Sequence, residues 1–133
     1  MSGYSKTPLA KKLGIKAGDK VLFINQPDTY FSLFEELPDI TEVDFSTSEV
    51  DFIHFFTTSH KELKAQLPFL KERLSKTGML WVSWPKKSAK VACDIDGNIV
   101  RHLGLEAGLV DVKVCAVDET WSGLKFMFRI KDR

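Results

Sequence analysis

Cysteine is scarce in this chain of 133 residues, which contains only Cys93 and Cys115. The two lie far apart in apolar surroundings and no C-x-x-C pair is present, so we expect buried free thiols rather than a disulfide. The three histidines do not show the spacing of metal ligands either. These absences predict a cytoplasmic protein without a metal site.

An excess of charge and long apolar runs are also missing. The formal net charge is +1, and nucleic-acid-binding domains usually carry a strong basic excess, so we expect no nucleic-acid partner. No apolar run approaches the roughly 20 residues of a membrane span. The polar stretch Met1–Lys12 lacks the apolar core of a signal peptide. The sequence therefore predicts no membrane partner, and it leaves the oligomeric state open.

Two common catalytic signatures are absent, because the chain has neither a nucleophile elbow G-x-S-x-G nor a P-loop. It does contain 44% hydrophobic residues, with ten Phe and three Trp, which is enough for a substantial core. The length predicts one domain over residues 1–133.

The stretch Gly78–Lys87 reads G-M-L-W-V-S-W-P-K-K. A short apolar run bounded by Gly and Pro predicts a strand buried on both faces. We therefore expect Met79–Trp84 to be a central strand in which Trp81 is buried, and the loop of Pro85 and two lysines to leave its carboxyl end.

Helical and strand patterns alternate ahead of this strand. The capping box Ser59-x-x-Glu62 predicts a helix from His60 to about Lys76 with a kink at Pro68. The other predicted elements are a helix from Thr7-Pro8 to a left-handed cap at Gly14, a strand Val21–Ile24, a helix with Tyr30, Phe31, Phe34 and Leu37 that stops at Pro38, and a strand Phe52–Phe56.

The segment Thr41–Phe45 has two interpretations. The connection Ser46–Val50 spans at most about 17 Å, whereas a parallel crossover usually needs about a dozen residues or more. The segment is therefore either a stub at the sheet edge or an antiparallel neighbour.

The C-terminal third predicts a β-hairpin. Val110–Ala116 and Leu124–Ile130 alternate apolar and polar residues, and Trp121–Gly123 is expected to turn between them, with Phe126 buried. Before the hairpin, Asn98 is expected to cap a helix that ends at Gly104. Leu103–Gly108 repeats the pattern of Leu13–Gly18, which predicts the same helix-to-strand connector used twice.

This order of elements predicts an α/β fold, a three-layer Rossmann-like sheet that is mostly parallel with a C-terminal antiparallel hairpin. It resembles a reduced methyltransferase fold, in which the last strand inserts antiparallel beside its predecessor. Four motifs are similar to those of a family of small bacterial proteins known only as a domain of unknown function, and that resemblance implies no activity. The motifs are Gly3-Tyr4-Ser5-x-Thr7-Pro8-Leu9, Trp84-Pro85-Lys86-Lys87, Gly108-Leu109-Val110-Asp111-x-Lys113-Val114-Cys115 and Asp118-Glu119-x-Trp121-Ser122-Gly123-Leu124.

The loop after the first strand argues against a cofactor. A methyltransferase needs a glycine there so that the backbone can approach S-adenosylmethionine (SAM), and Asn25–Thr29 has none. An acidic residue after the second strand would hold the ribose, and Asp44 is only a weak substitute. The expectation is that no cofactor is bound, SAM included.

The predicted site is the edge where the parallel strands end, because ligands of open α/β sheets bind there. Helix N-termini attract anions, and two lysines leave the neighbouring strand. The residues expected to share this exit edge are Asn25, Gln26, Ser59, Trp84, Lys86, Lys87, Asp118 and Trp121.

Two functions remain open at this point. The first is a non-catalytic module that binds a small anionic ligand or a protein partner at the exit edge. The second is a reduced methyltransferase-like enzyme with an atypical, glycine-free cofactor loop. A simpler interpretation of the lysines is a solvated loop paired with Asp118 or Glu119. His54, between Phe52 and Phe56, is expected to be a hydrogen-bonded core histidine, and Trp121 a plug over the core.

Overall fold

The computed structural model describes residues 8–133, which form a six-stranded sheet with helices on both faces. Within these residues, none of the helices has the length and apolar character needed to cross a membrane. The helices are α1 (Leu9–Leu13), α2 (His60–Arg73) and α3 (Gly97–Glu106), and the strands are β1 (Lys20–Ile24), β2 (Thr41–Glu42), β3 (Val50–Phe56), β4 (Leu74–Pro85), β5 (Leu109–Ala116) and β6 (Trp121–Phe128).

The strand order is β2-β1-β3-β4-β6-β5. The first four strands in this order run parallel, while β6 pairs antiparallel with both β4 and β5. The mostly parallel sheet with a C-terminal antiparallel hairpin is thus confirmed, and so is the central position of β4.

The apolar residues form two cores, one on each face of the sheet. One core lies under α2 and α3 and includes Phe126, and the other lies under α1 and includes Trp81 and Tyr30. Trp81 and Phe126 are both fully buried, as the sequence predicts. The carbonyl of Leu13, at the end of α1, accepts a 2.8 Å hydrogen bond from Nε1 of Trp81, which holds α1 against this second core.

The segment between β1 and β2 differs from the prediction. Only Phe31–Leu33 is helical, as one 3₁₀ turn. Tyr30 is fully buried and its ring packs on Phe23, Phe34 and Phe56. Aromatic residues and Thr are weak helix formers, and this packing outweighs the helical spacing of the apolar side chains.

Helix α2 is shorter than predicted and β4 is longer. The chain passes from Arg73 directly into β4, where Leu74 pairs with Val50 instead of extending the helical stripe. Gly78 lies inside this strand, and a Cβ there would stand 2.8 Å from the carbonyl oxygen of Val50. The glycine that was predicted to precede the strand therefore permits a close approach of two backbones within it.

The segment at 41–45 is a stub at the sheet edge, and the antiparallel alternative is wrong. Strand β2 has two residues and pairs parallel with Lys20 and Val21 at the start of β1. The end of β2 lies near the level at which β3 begins. The connection between the two strands therefore does not have to run back along the sheet, and a short segment is sufficient.

Helix α3 is capped by Asp96, whose carboxylate accepts the N–H of Ile99 at 2.9 Å, and not by Asn98. The helix continues through Gly104 to Glu106, so the predicted end is wrong. A Cβ at Gly104 would lie 2.1 Å from a ring carbon of Phe126, and the glycine therefore permits close packing of α3 on the sheet.

The two Leu-Gly connectors also differ. Gly14 has a φ of 87° and ends α1 as a left-handed cap, as predicted, whereas Gly104 is helical. The expected N-cap Thr7 lies outside the described residues.

The hairpin turn is displaced by a few residues from its predicted position. Residues 117–120 form the turn, and Trp121 is already in β6, paired with Pro85. The Asp118 carboxylate accepts the N–H groups of Thr120 and Trp121 at 2.8 and 2.7 Å, so it closes the turn in place of the expected Trp121–Gly123 corner.

Candidate functional site

Three parallel strands end at the same edge of the sheet, which is the predicted exit edge. Because β1, β3 and β4 run in the same direction, the chain leaves them at Asn25, Thr57 and Lys86 on one edge of the sheet. The chain that leaves β1 leads to β2, whereas the chain that leaves β3 leads to α2 on the other face of the sheet. Such a switch in direction opens a crevice in α/β sheets.

Asn25 directly follows β1 and has a left-handed conformation, with a φ of 60°. Its side-chain amide donates a 3.2 Å hydrogen bond to the carbonyl of Phe56, the last residue of β3, and thereby links the ends of the two strands. Asn tolerates left-handed backbone better than most other residues. The loop thus has the backbone geometry that a glycine would supply, although it contains no glycine.

Asp44 follows β2, which pairs with the start of β1 and not with its carboxyl end. The N–H of Val43 bonds to the carbonyl of Val21 at 2.8 Å, which continues the pairing of the two strands to this point. Hydrogen bonds from the Ser46 hydroxyl and N–H to the Asp44 carboxylate, at 2.5 and 3.0 Å, lower the pKa of Asp44 below its ordinary value. The side chain is exposed and ionised at neutral pH.

The N-terminus of α2 is already occupied by side chains of the protein. The Ser59 hydroxyl accepts the N–H of Glu62 at 3.1 Å, as the capping box predicts, and the carboxylate of Asp94 accepts the N–H of His60 at 2.7 Å. A protein carboxylate therefore sits where an external anion was expected. The sequence did not indicate Asp94, because it is 34 residues away from His60 along the chain.

The two lysines leave β4 beside the hairpin turn. Lys86 donates its backbone N–H to the carbonyl of Thr120 at 2.8 Å, Lys86 is half-buried, and Lys87 is exposed. Among residues 8–133 neither lysine forms an ion pair with Asp118 or Glu119, so the simpler interpretation of a paired loop is wrong.

The two tryptophans lie on opposite faces of the sheet. Trp84 belongs to the core beneath α2 and α3, whereas Trp121 packs edge-on against Phe56 in the other core at 5.1 Å. Trp121 pairs with Pro85, the neighbour of Trp84, and adjacent side chains of a strand alternate between faces. Trp84 and Trp121 therefore cannot wall the same concavity.

Three buried polar side chains, those of Tyr30, His54 and Ser83, are joined by hydrogen bonds inside the protein. His54 is fully buried, its Nδ1 lies 2.9 Å from the hydroxyl of Tyr30, and its Nε2 lies 2.7 Å from the hydroxyl of Ser83. Burial lowers the pKa of His54 to about 3 and raises the pKa of Tyr30. The predicted core histidine is confirmed. Its partners were not predicted, and the polar Ser83 within an apolar strand was a signal that could have identified one of them.

Among residues 8–133, no group of three or more His, Cys, Asp or Glu side chains is placed to hold a metal ion. The two cysteines are free thiols, Cys115 buried and Cys93 half-buried.

Comparison with known proteins gives a fold but no family. No family model and no curated protein matches the chain, so the resemblance to a domain of unknown function has no support there. A SAM-dependent methyltransferase from Aquifex aeolicus matches with a TM-score of 0.61 at 17% identity, over 91% of this chain and 88% of that one.

Two further solved structures agree. A TehB-like SAM-dependent methyltransferase from Corynebacterium glutamicum gives a TM-score of 0.58 at 11% identity, over 96% of this chain and 90% of that one. Magnesium protoporphyrin IX methyltransferase from Synechocystis, solved with bound SAM, gives 0.58 at 11% identity, over 91% and 74%. The expectation that no cofactor is bound is therefore contradicted, because solved structures with this fold hold SAM. The chain has a methyltransferase-like Rossmann fold.

Proposed function

We propose that this protein binds SAM, or its product S-adenosylhomocysteine (SAH), in the crevice between the ends of β1 and β3. The observation that carries the proposal is Asn25, whose left-handed backbone stands where the glycine of a cofactor loop is expected. The similarity of the fold to solved structures that hold SAM or SAH supports the choice of ligand.

The described residues fit this ligand at two points. The turn at Asn25 lets the backbone approach the methionine end of the ligand, and Gln26 offers a polar side chain next to it. Asp44 is an exposed carboxylate that follows the second strand in the chain, as does the acidic residue that holds the ribose hydroxyls in Rossmann-like domains, and β2 itself pairs with the start of β1. Bound SAM supplies an electrophilic methyl group on a sulfonium, and the role proposed for these residues is to bind and orient it.

A specific observation favours a second candidate, a small anion at the exit edge. Lys86 and Lys87 have no carboxylate within 4.0 Å among the described residues, so both ammonium groups are available to an external anion. Asp94 on the N-terminus of α2 weakens this candidate, since an anion at that helix would meet a carboxylate.

Isothermal titration with SAM, SAH and sulfate tests both candidates. We expect SAM or SAH to bind, and the variant Asp44→Asn to weaken binding by about 10-fold, the loss of one charged hydrogen bond. The variant Asp39→Asn is the matched control, because Asp39 is another exposed acid just before β2. It should bind like the wild type.

The outcomes separate the candidates. If neither SAM nor SAH binds to protein that circular dichroism shows to be folded, the proposal fails. If sulfate binds and Lys86→Ala with Ser59→Ala abolishes that response, the anion site is supported instead. Equal weakening by Asp44→Asn and Asp39→Asn would remove Asp44 from the site.

A further inference from the structure

A second concavity lies at the opposite edge of the sheet, away from the proposed SAM site. It has a volume of about 490 Å³ and is formed by the last turn of α2, the beginnings of β3 and β4, and the end of β6. A volume of this size is within the range of small-molecule pockets, which is about 300–1,000 Å³. Leu74 and Phe128, each only 4% exposed, form the apolar part of its lining.

Two lysines that line this cavity place their ammonium groups near the same aromatic ring. The Nζ atoms of Lys71 and Lys76 lie 5.8 and 4.3 Å from the centroid of the same ring, that of Phe128. Lys71 is held in place by a 2.8 Å hydrogen bond to the carbonyl of Ala107, near the end of α3. Neither ammonium has a carboxylate within 4.0 Å in the described part of the chain. Both ammonium groups are therefore available to an anion in the cavity, and contacts with it would be charge-assisted.

Two acidic side chains restrict the charge that this cavity accepts. Glu49, just before β3, and Glu72, on α2, also line it. They are exposed, and within residues 8–133 neither is paired with a basic group. Because the lining carries two positive and two negative charges, a ligand with several negative charges would be repelled at the Glu side.

We propose that this cavity binds a small organic monoanion, a carboxylate or a phosphate diester carried on an apolar or aromatic body. The anionic group contacts Lys71 and Lys76, and the apolar body packs on Leu74 and Phe128. The site is independent of SAM binding, since it lies at the other end of the parallel strands.

An NMR chemical-shift titration at neutral pH tests the proposal with four probes: phenylacetate, diphenyl phosphate, the neutral alcohol 2-phenylethanol and tripolyphosphate. We expect saturable shifts at Leu74, Lys76 and Phe128 with at least one of the two monoanions. The neutral alcohol and tripolyphosphate should bind more weakly. Whichever monoanion binds tighter identifies the head group.

Charge variants locate the anionic group. Lys71→Met with Lys76→Met should weaken binding by about 10-fold or more, since charge-assisted contacts are lost while the apolar stems stay. Lys61→Met, at the other end of α2, is the matched control and should leave affinity unchanged. Glu49→Gln should tighten binding by about threefold, because it removes a repulsive charge. If the double variant does not fold, Lys76→Met alone gives the same test on an exposed side chain.

The proposal is overturned if neither monoanion gives saturable shifts, if 2-phenylethanol binds as tightly as the anions, or if the lysine variants bind like Lys61→Met. Failure here would leave the SAM proposal untouched, because that titration reports on the other edge of the sheet.

Discussion

Replacing Gly104 by alanine tests the packing of α3 on the sheet. The added Cβ would lie 2.1 Å from one ring carbon of Phe126 and 2.3 Å from another, far inside van der Waals contact. The ring is fully buried, so it has no open space into which it can turn. Overpacking of this kind costs about 3 kcal/mol at the upper end of its usual range, and alanine returns about 1 kcal/mol of helix propensity.

We therefore expect Gly104→Ala to lower the free energy of unfolding by about 2 kcal/mol, and the melting temperature by roughly 6–10 °C. Urea denaturation followed by circular dichroism measures the first quantity. The matched control is Gly97→Ala in the first turn of the same helix, where the new Cβ would stand 3.3 Å from the Trp84 ring and needs only a small adjustment. That control should be close to neutral.

A double-mutant cycle measures how far the Phe126 ring limits the residue at position 104. In a Phe126→Leu background the smaller side chain leaves room, so Gly104→Ala should cost at least about 1 kcal/mol less than in the wild type. If Gly104→Ala is neutral or stabilising, or if the two substitutions are additive, the contact between α3 and Phe126 does not limit the residue at position 104.

The remaining predictions concern the buried histidine and the thiols. His54 has a folded-state pKa of about 3 against about 6.5 in the unfolded chain, so its contribution to stability is complete above pH 6.5 and is lost as the pH falls towards 3. Between pH 6.5 and 5.0 that loss is about 1.6 kcal/mol. In urea titrations the variant His54→Gln should remove this pH dependence of the unfolding free energy, whereas the exposed His102→Gln should keep it. Equal slopes in His54→Gln and wild type would contradict the assignment. In native protein, Cys93 should react with iodoacetamide faster than Cys115, because Cys93 is half-buried and Cys115 only 6% exposed. Mass spectrometry after partial labelling measures this order, and faster labelling of Cys115 would show that its face of the hairpin is open.

Local patterns were sufficient for most of the architecture. Apolar runs identified β1, β3 and β4, and alternation identified the hairpin, because side-chain periodicity reports which faces of an element are dry. The burial of Trp81 and the hydrogen bonding of His54 followed from the same reasoning. A histidine between two phenylalanines on a buried strand has to find partners within the core.

Tertiary contacts decided the features that were predicted wrongly. Tyr30 and its neighbours have helical spacing, yet packing on the sheet leaves only one 3₁₀ turn. Gly104 has the appearance of a helix end, yet it lies inside α3, where the absence of a Cβ leaves room for the Phe126 ring. In both cases the deciding partner lies elsewhere in the sequence, so local propensity was overruled by packing.

The sequence by itself determined that strand ends would meet at one edge, because helix-connected parallel strands have their carboxyl ends together. It could not determine what occupies that edge. Asp94 reaches the start of α2, Asp118 closes its own turn, and Asn25 joins β1 to β3. The charge distribution of the cavity near Phe128 arises in the same way, from residues of separate elements. Such contacts depend on the positions of side chains in the folded chain, and only the tertiary structure sets those positions.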